Sequence, residues 1–210
     1  MLLFLLLLLP AALLTYALII KNRAIILPIF AGIITASVVC ACRFFFSFEH
    51  HLTYYSFAPN FIYYLVKQNF LSLVIVSAVY ALISRDTAEY KIKNFFPLMC
   101  SYFAVYLPYC VITSSEFYYQ SYDLFLKPVI YLAMLVQISM SLIAVYNGIK
   151  EHKIICAIIN CILILVYALY PAVSDALYAI DYSFAVILIA GIIYSIFPVV
   201  CFFLTKLLKK

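Results

Sequence analysis

This sequence predicts an all-α integral membrane protein: a polytopic bundle of seven transmembrane helices, with the N-terminus outside and the C-terminus cytoplasmic. Three observations carry that expectation. The first is composition: 69% of the 210 residues are hydrophobic and only 10% are charged, whereas a soluble domain is about half apolar and about a quarter charged. So few charges cannot cover a water-facing surface, and a mean hydropathy of +1.17 places the chain in lipid. The second is the spacing of the apolar runs. The third is the side on which each basic residue falls.

A helix crosses a hydrocarbon core of roughly 30 Å with about 20 apolar residues, and seven stretches reach or approach that length. Leu2–Ile20 is the first. Nothing charged precedes it, while Lys21 and Arg23 follow it. A signal peptide has the reverse order, with a basic lead-in and a small-residue cleavage site, so this run reads as an uncleaved span. Ala24–Cys42 is the second. The third, about Phe61–Ile83, is interrupted in its outer third by Lys67-Gln68-Asn69. The uninterrupted part from Phe70 is too short alone, so Lys67 is expected to lie within the span and snorkel outward. Phe95–Thr113, Pro128–Tyr146, Ile154–Val173 and Ala185–Leu204 complete the set. Residues 1–210 then form one transmembrane helical domain. The connection Arg43–Asn60 is too aromatic for a free loop and is expected to lie along the interface.

Threaded this way, Lys21, Arg23, Arg85, Lys91, Lys93, Lys150, Lys153, Lys206, Lys209 and Lys210 share one side. Arg43, Lys67 and Lys127 fall on the other. The positive-inside rule makes the first side cytoplasmic. Dropping any one span would send alternate basic loops to opposite sides, so seven spans fit where six do not. There is no Trp, so the 20 Tyr must supply the interfacial aromatic belt. The net charge of +5 is met by anionic lipid, at roughly 1 kcal/mol per basic residue near the surface, and implies no nucleic-acid partner. The expected setting is the cell (cytoplasmic) membrane, with membrane lipids and other membrane subunits as partners.

Motifs that carry chemistry are scarce. The seven Cys lie almost wholly in apolar runs, where cysteine behaves as a small hydrophobe. No CxxC pair occurs, which removes the usual zinc signature. Cys40, Cys42 and Cys110 near the outer interface leave a disulfide open. HExxH, GxSxG and P-loop patterns are missing. No Asp, Glu, Arg or His is expected near the middle of any span, which argues against a buried-charge pump. No cofactor and no metal centre are expected.

The outer face carries one dense polar group: Arg43, Glu49, His50, His51, Lys67, Glu116 and Lys127, with Asp123, Asp175 and Asp181. Glu49-His50-His51 could serve as an acid/base pair, although adjacent histidines splay apart on a helix or strand. Lys67 and Lys127 each open a span and could face a shared vestibule, binding a carboxylate or phosphate. Snorkelling to lipid headgroups is the plainer reading. At depth, Gln137 and Ser141 share a helix face, and antiparallel packing would bring Asn160 level with Ser141. A Gln137–Ser141–Asn160 bridge would be structural glue or the lining of a path. Gly191-x-x-x-Ser195 and Ser77-x-x-x-Ala81 are candidate contact stripes, and Pro10, Pro108 and Pro198 candidate kinks.

Topology is not function. The residues support the expectation of a permease-like protein, or a membrane subunit of a transport complex, for a small solute or lipid-derived ligand. Its ligand-binding candidates are Arg43, Lys67, Glu116, Lys127, Gln137 and Asn160. One alternative is a membrane-embedded enzyme acting on a lipid-linked substrate at the outer face, with Glu49, His50 and His51 as its chemical groups. The other is a non-catalytic structural or assembly subunit.

Overall fold

The structure, a computed structural model, describes residues 2–45, 56–83, 88–114 and 121–207, with the side chains at 23, 88–93, 114 and 198–207 outside the description. Among the described residues 93% are helical and none is in a strand. Hydrocarbon offers no partner to backbone N–H and C=O groups, so each segment must satisfy them internally. The helices are α1 (Leu2–Ile19), α2 (Ile26–Phe45), α3 (Phe57–Ile83), α4 (Ala88–Ser114), α5 (Tyr122–Lys150), α6 (Ile154–Ala179) and α7 (Phe184–Leu207). The first six are long and apolar enough to cross a membrane, α4 through its stretch Asn94–Thr113. In α7 the apolar stretch with described side chains is Phe184–Phe197.

Several helices outrun the apolar windows read from sequence. α5 begins at Tyr122 rather than Pro128, and α6 runs to Ala179 rather than Val173. Asp123, Lys127, Ser174 and Asp175 are therefore helical residues, not loop residues. Hydropathy registers contact with lipid, whereas a helix continues wherever its polar side chains find burial and partners. Ser174 and Asp175 are each 2% exposed, which corrects the assignment of Asp175 to a solvated outer loop.

Three of the connections are built alike. Lys21, His152 and Asp181 each adopt a left-handed backbone, with φ of 54°, 56° and 54°, two residues beyond a helix end. In the α5–α6 turn, His152 N donates to Ile149 O at 3.2 Å and Lys153 N to Gly148 O at 2.7 Å. The same pair of bonds closes the α1–α2 turn (Lys21 to Leu18, Asn22 to Ala17) and the α6–α7 turn (Asp181 to Tyr178, Tyr182 to Leu177). This is the Schellman geometry, which glycine suits best. Because a left-handed L-residue costs roughly 1–2 kcal/mol and glycine adds roughly 0.5–1 kcal/mol of unfolded-chain entropy, His152→Gly is expected to raise stability by about 0.5 kcal/mol. A thermal melt in detergent that shows a loss would contradict that. Beside it, the Glu151 carboxylate lies 2.7 Å from Lys153 Nζ. It holds that ammonium above the ordinary lysine range, by the hydrogen bond first and the charge second. Both side chains are exposed, so the pair adds little stability.

The chain divides into two compact units, Met1–His51 with Phe70–Pro128, and Leu52–Asn69 with Val129–Lys210. In unit one α4 is the core: 72% of its apolar stretch is buried, against 22% for α1 and 28% for α2. It packs most extensively on α2. The α2 contact stripe is Gly32, Ala36 and Cys40, all buried, at the four-residue spacing that lets helix backbones approach closely. A Cβ at Gly32 would stand 2.4 Å from the Leu98 carbonyl oxygen. Farther along both helices, Arg43 stacks over the Tyr106 ring at 4.9 Å and donates to Cys110 Sγ at 3.6 Å. The numbering rises together, so α2 and α4 run parallel.

Other sequence expectations change here. Ser77 and Ala81 are exposed on α3, and its buried face is Ser72, Val76 and Tyr80. Ser195 Oγ bonds Gly191 O within its own helix at 2.7 Å. Pro10 sits in the first turn of a helical restart after a tightened 3-10 turn, Leu6–Leu8, where a missing N–H costs little. Pro108 lies inside α4, and the Pro198 side chain is outside the described set.

Unit two holds the first half of α3 and most of α5, with α6 and α7 antiparallel. The rings of Tyr170 and Tyr194 stack with centroids 4.2 Å apart, and Tyr167 meets Phe197 at 6.5 Å. Ile155, Ile159, Ile162 and Val166 of α6 are exposed, as hydrocarbon contact requires.

Candidate functional site

The site grows from one residue, Pro171, inside α6. Its ring nitrogen carries no hydrogen, so the carbonyl four residues earlier, at Tyr167, loses its helical donor. In lipid that oxygen must be met from elsewhere. The Tyr194 hydroxyl of α7 donates to it at 2.9 Å. One residue on, Asn69 Nδ2 donates to the Ala168 carbonyl at 3.2 Å. Two neighbouring helices thus close over the break in the third.

Asn69 reaches α6 because α3 widens into a π-helical stretch over Tyr64–Phe70. That wider turn buries Gln68 and Asn69 in succession and leaves Lys67 exposed. Such irregular turns recur at functional sites. Asn69 Oδ1 accepts from the Tyr131 hydroxyl of α5 at 2.8 Å, and the same hydroxyl lies 2.9 Å from Asp175 Oδ2. A phenol has one hydrogen, so it is shared between two acceptors. Asn69, Tyr131 and Asp175 are each at most 2% exposed. Asp175 stands four residues, about 6 Å, from the end of α6.

Deeper along α5 the Gln137 amide donates to the Tyr194 carbonyl at 3.0 Å. Its Oε1 has no hydrogen-bond partner among the described residues, nor has Gln68 Nε2. No protein-family model, curated protein or solved structure matches the chain.

The residues singled out from sequence distribute as follows. Glu49, His50, His51 and Glu116 lie outside the described residues. Arg43 packs against α4 in unit one. Lys67 belongs to unit two and is exposed, its ammonium 5.4 Å from the Tyr63 ring centroid. Lys127 differs, being 5% exposed, so the headgroup-snorkelling reading fails for it. Gln137 is at the site, but the expected Gln137–Ser141–Asn160 bridge is not formed. Asn160 Nδ2 bonds Cys156 O in its own helix at 2.9 Å. The register explains this. A Cβ at Gly148 would lie 3.4 Å from Ala157 Cβ, which pins the α5–α6 turn. Ser141 is then about 10 Å from that contact and Asn160 only about 5 Å, roughly one turn out of step.

Asn69, Tyr131, Pro171 and Tyr194 escaped the sequence reading as site residues, and Asp175 entered it only among the acids of the outer face. A usable signal was present in Tyr170-Pro171 followed by Ser174-Asp175, a proline and two polar groups at the end of an apolar run.

Proposed function

We propose that this chain is a permease-like protein, or the membrane subunit of a transport complex, with its solute path in unit two. The observation that carries the reading is the polar break at Pro171, buried in a helix long and apolar enough to span the membrane. Interhelical polar bonds in membranes average about 0.6 kcal/mol and reach at most about 1.7. Removing a carboxylate from water costs several kcal/mol. As glue alone, the Asn69–Tyr131–Asp175 set gains less than it costs. Polar and ionisable groups inside spans are functional by default. The sequence argument against a buried carboxylate weakens once Asp175 belongs to a helix. Lys67, exposed two residues before Asn69, stands where an incoming solute would first be met. The enzyme alternative rests on Glu49, His50 and His51 alone.

The proposed threading is seven spans in the cell membrane, N-terminus outside and C-terminus cytoplasmic. The ten-to-three division of basic residues supports it, and so does the parallel run of α2 and α4, which needs a returning span between them. In a chain freed of its native cysteines, a cysteine placed at Ser115 is expected to react with impermeant reagent from outside. One at Glu151 is expected not to react, and the opposite pattern would invert the topology. Transport itself is tested by uptake into proteoliposomes, with and without co-purified cellular partners. If no solute from a panel of neutral, cationic and anionic compounds enters faster than through bare lipid, the permease reading fails.

A further inference from the structure

Among the buried amide atoms of unit two without a partner in the described residues are two of opposite kind. Gln68 Nε2 is a donor and Gln137 Oε1 an acceptor, neither with a partner among the described residues, on side chains 4% and 3% exposed. Such atoms are rare in folded proteins and call for a reason. Both belong to unit two. Gln68 adjoins Asn69, which bonds Tyr131, and Gln137 lies six residues beyond Tyr131 on α5, about 9 Å deeper. Near them stand Pro171 of α6 and the stacked rings of Tyr170 on α6 and Tyr194 on α7, whose carbonyl accepts from Gln137.

We infer that Gln68 and Gln137 are successive hydrogen-bonding stations for a small neutral solute bearing hydroxyl groups. A hydroxyl both accepts and donates, so one solute group satisfies Gln68 Nε2 at the first station and Gln137 Oε1 at the second. A fully charged cation would suit the acceptor and oppose the donor, and an anion the reverse. The Tyr170–Tyr194 rings offer apolar faces to the C–H surface of such a molecule while their backbone carries the polar anchors. This inference deepens the permease reading and rests on it.

The test is uptake of glycerol and erythritol into proteoliposomes holding the full chain, with choline and lactate as charged comparators. Wild-type protein is expected to admit the two polyols and neither charged solute. Gln137→Leu and Gln68→Leu are each expected to cut polyol uptake about tenfold. Melting temperatures should not fall in Gln68→Leu, because an unsatisfied buried group is removed; Gln137→Met serves if the leucine variant at 137 misfolds. Polyol uptake unchanged in folded Gln68 and Gln137 variants overturns the inference. Entry of choline or lactate without polyols overturns it too, yet leaves a permease. Entry of no solute at all overturns both readings.

Discussion

Gly32→Ala is expected to destabilise unit one by about 2 kcal/mol, more than Gly148→Ala. The added Cβ would stand 2.4 Å from the Leu98 carbonyl oxygen and 3.0 Å from Ser101 Cβ. The first of these is backbone and cannot swing aside, so α2 and α4 must separate. Overpacking of this kind costs roughly 1–3 kcal/mol, and the helix-propensity gain of alanine over glycine returns about 1 at most. The clash wins because it falls on the most extensive helix contact of the unit. Gly148→Ala is the control: its nearest neighbours are the Ala157 nitrogen at 3.1 Å and the Lys153 oxygen at 3.3 Å, which need yield only a few tenths of an ångström. Denaturation in mixed micelles should rank the two clearly. Equal losses would mean that the α2–α4 crossing is looser than described.

The second large effect is expected at Tyr131. Tyr131→Phe withdraws one hydroxyl from two buried acceptors, Asn69 Oδ1 at 2.8 Å and Asp175 Oδ2 at 2.9 Å. One hydrogen is shared between them, and interhelical polar bonds in membranes reach at most about 1.7 kcal/mol, so a loss of about 1–2 kcal/mol follows. Tyr102→Phe in unit one provides the comparison, since among the described residues that hydroxyl meets Ser72 Oγ alone, at 3.2 Å, and should cost about 1 kcal/mol or less. A double-mutant cycle pairing Tyr131→Phe with Asp175→Asn should return a coupling of about 1–2 kcal/mol. A coupling near zero would remove Asp175 from the set and, with it, the main support for a functional site at the Pro171 break.

The permease proposal turns on the same residues, so stability and uptake should diverge there. A purely structural cluster loses uptake only in proportion to folded protein. A site on the path loses uptake in variants that remain folded, which makes Gln68→Leu the sharper probe of function and Tyr131→Phe the sharper probe of architecture.

The positions of the helices were legible in the sequence because a span must be apolar over its length, and each expected window overlaps an observed helix. The ends were less legible. Val173 closes the apolar run of the sixth span, yet α6 continues through Ser174 and Asp175, and Asp175 accepts from Tyr131, a residue 44 positions away. The contact stripe was misplaced for a similar reason. Gly32-x-x-x-Ala36 and Ser77-x-x-x-Ala81 are equivalent as spacings, and only packing decides that the first meets a neighbour. The turns at Lys21, His152 and Asp181 carried no glycine to announce them. Gln137 was recognised from its depth alone, but its partner, a backbone carbonyl on α7, has no sequence signature at all.

What the sequence by itself determines is an all-helical chain with helices suited to a bilayer, and a lopsided placement of basic residues that argues for one orientation. Those properties are sums over local composition, and transfer into lipid acts on each segment separately. What only the tertiary structure decides is which polar residues face inward together: Asn69 by a π-helical turn, Tyr131 and Asp175 by register, Tyr194 by the carbonyl that Pro171 sets free. The reason is that a buried hydrogen bond is a property of two places in the chain at once, with a tolerance of tenths of an ångström that no single segment encodes.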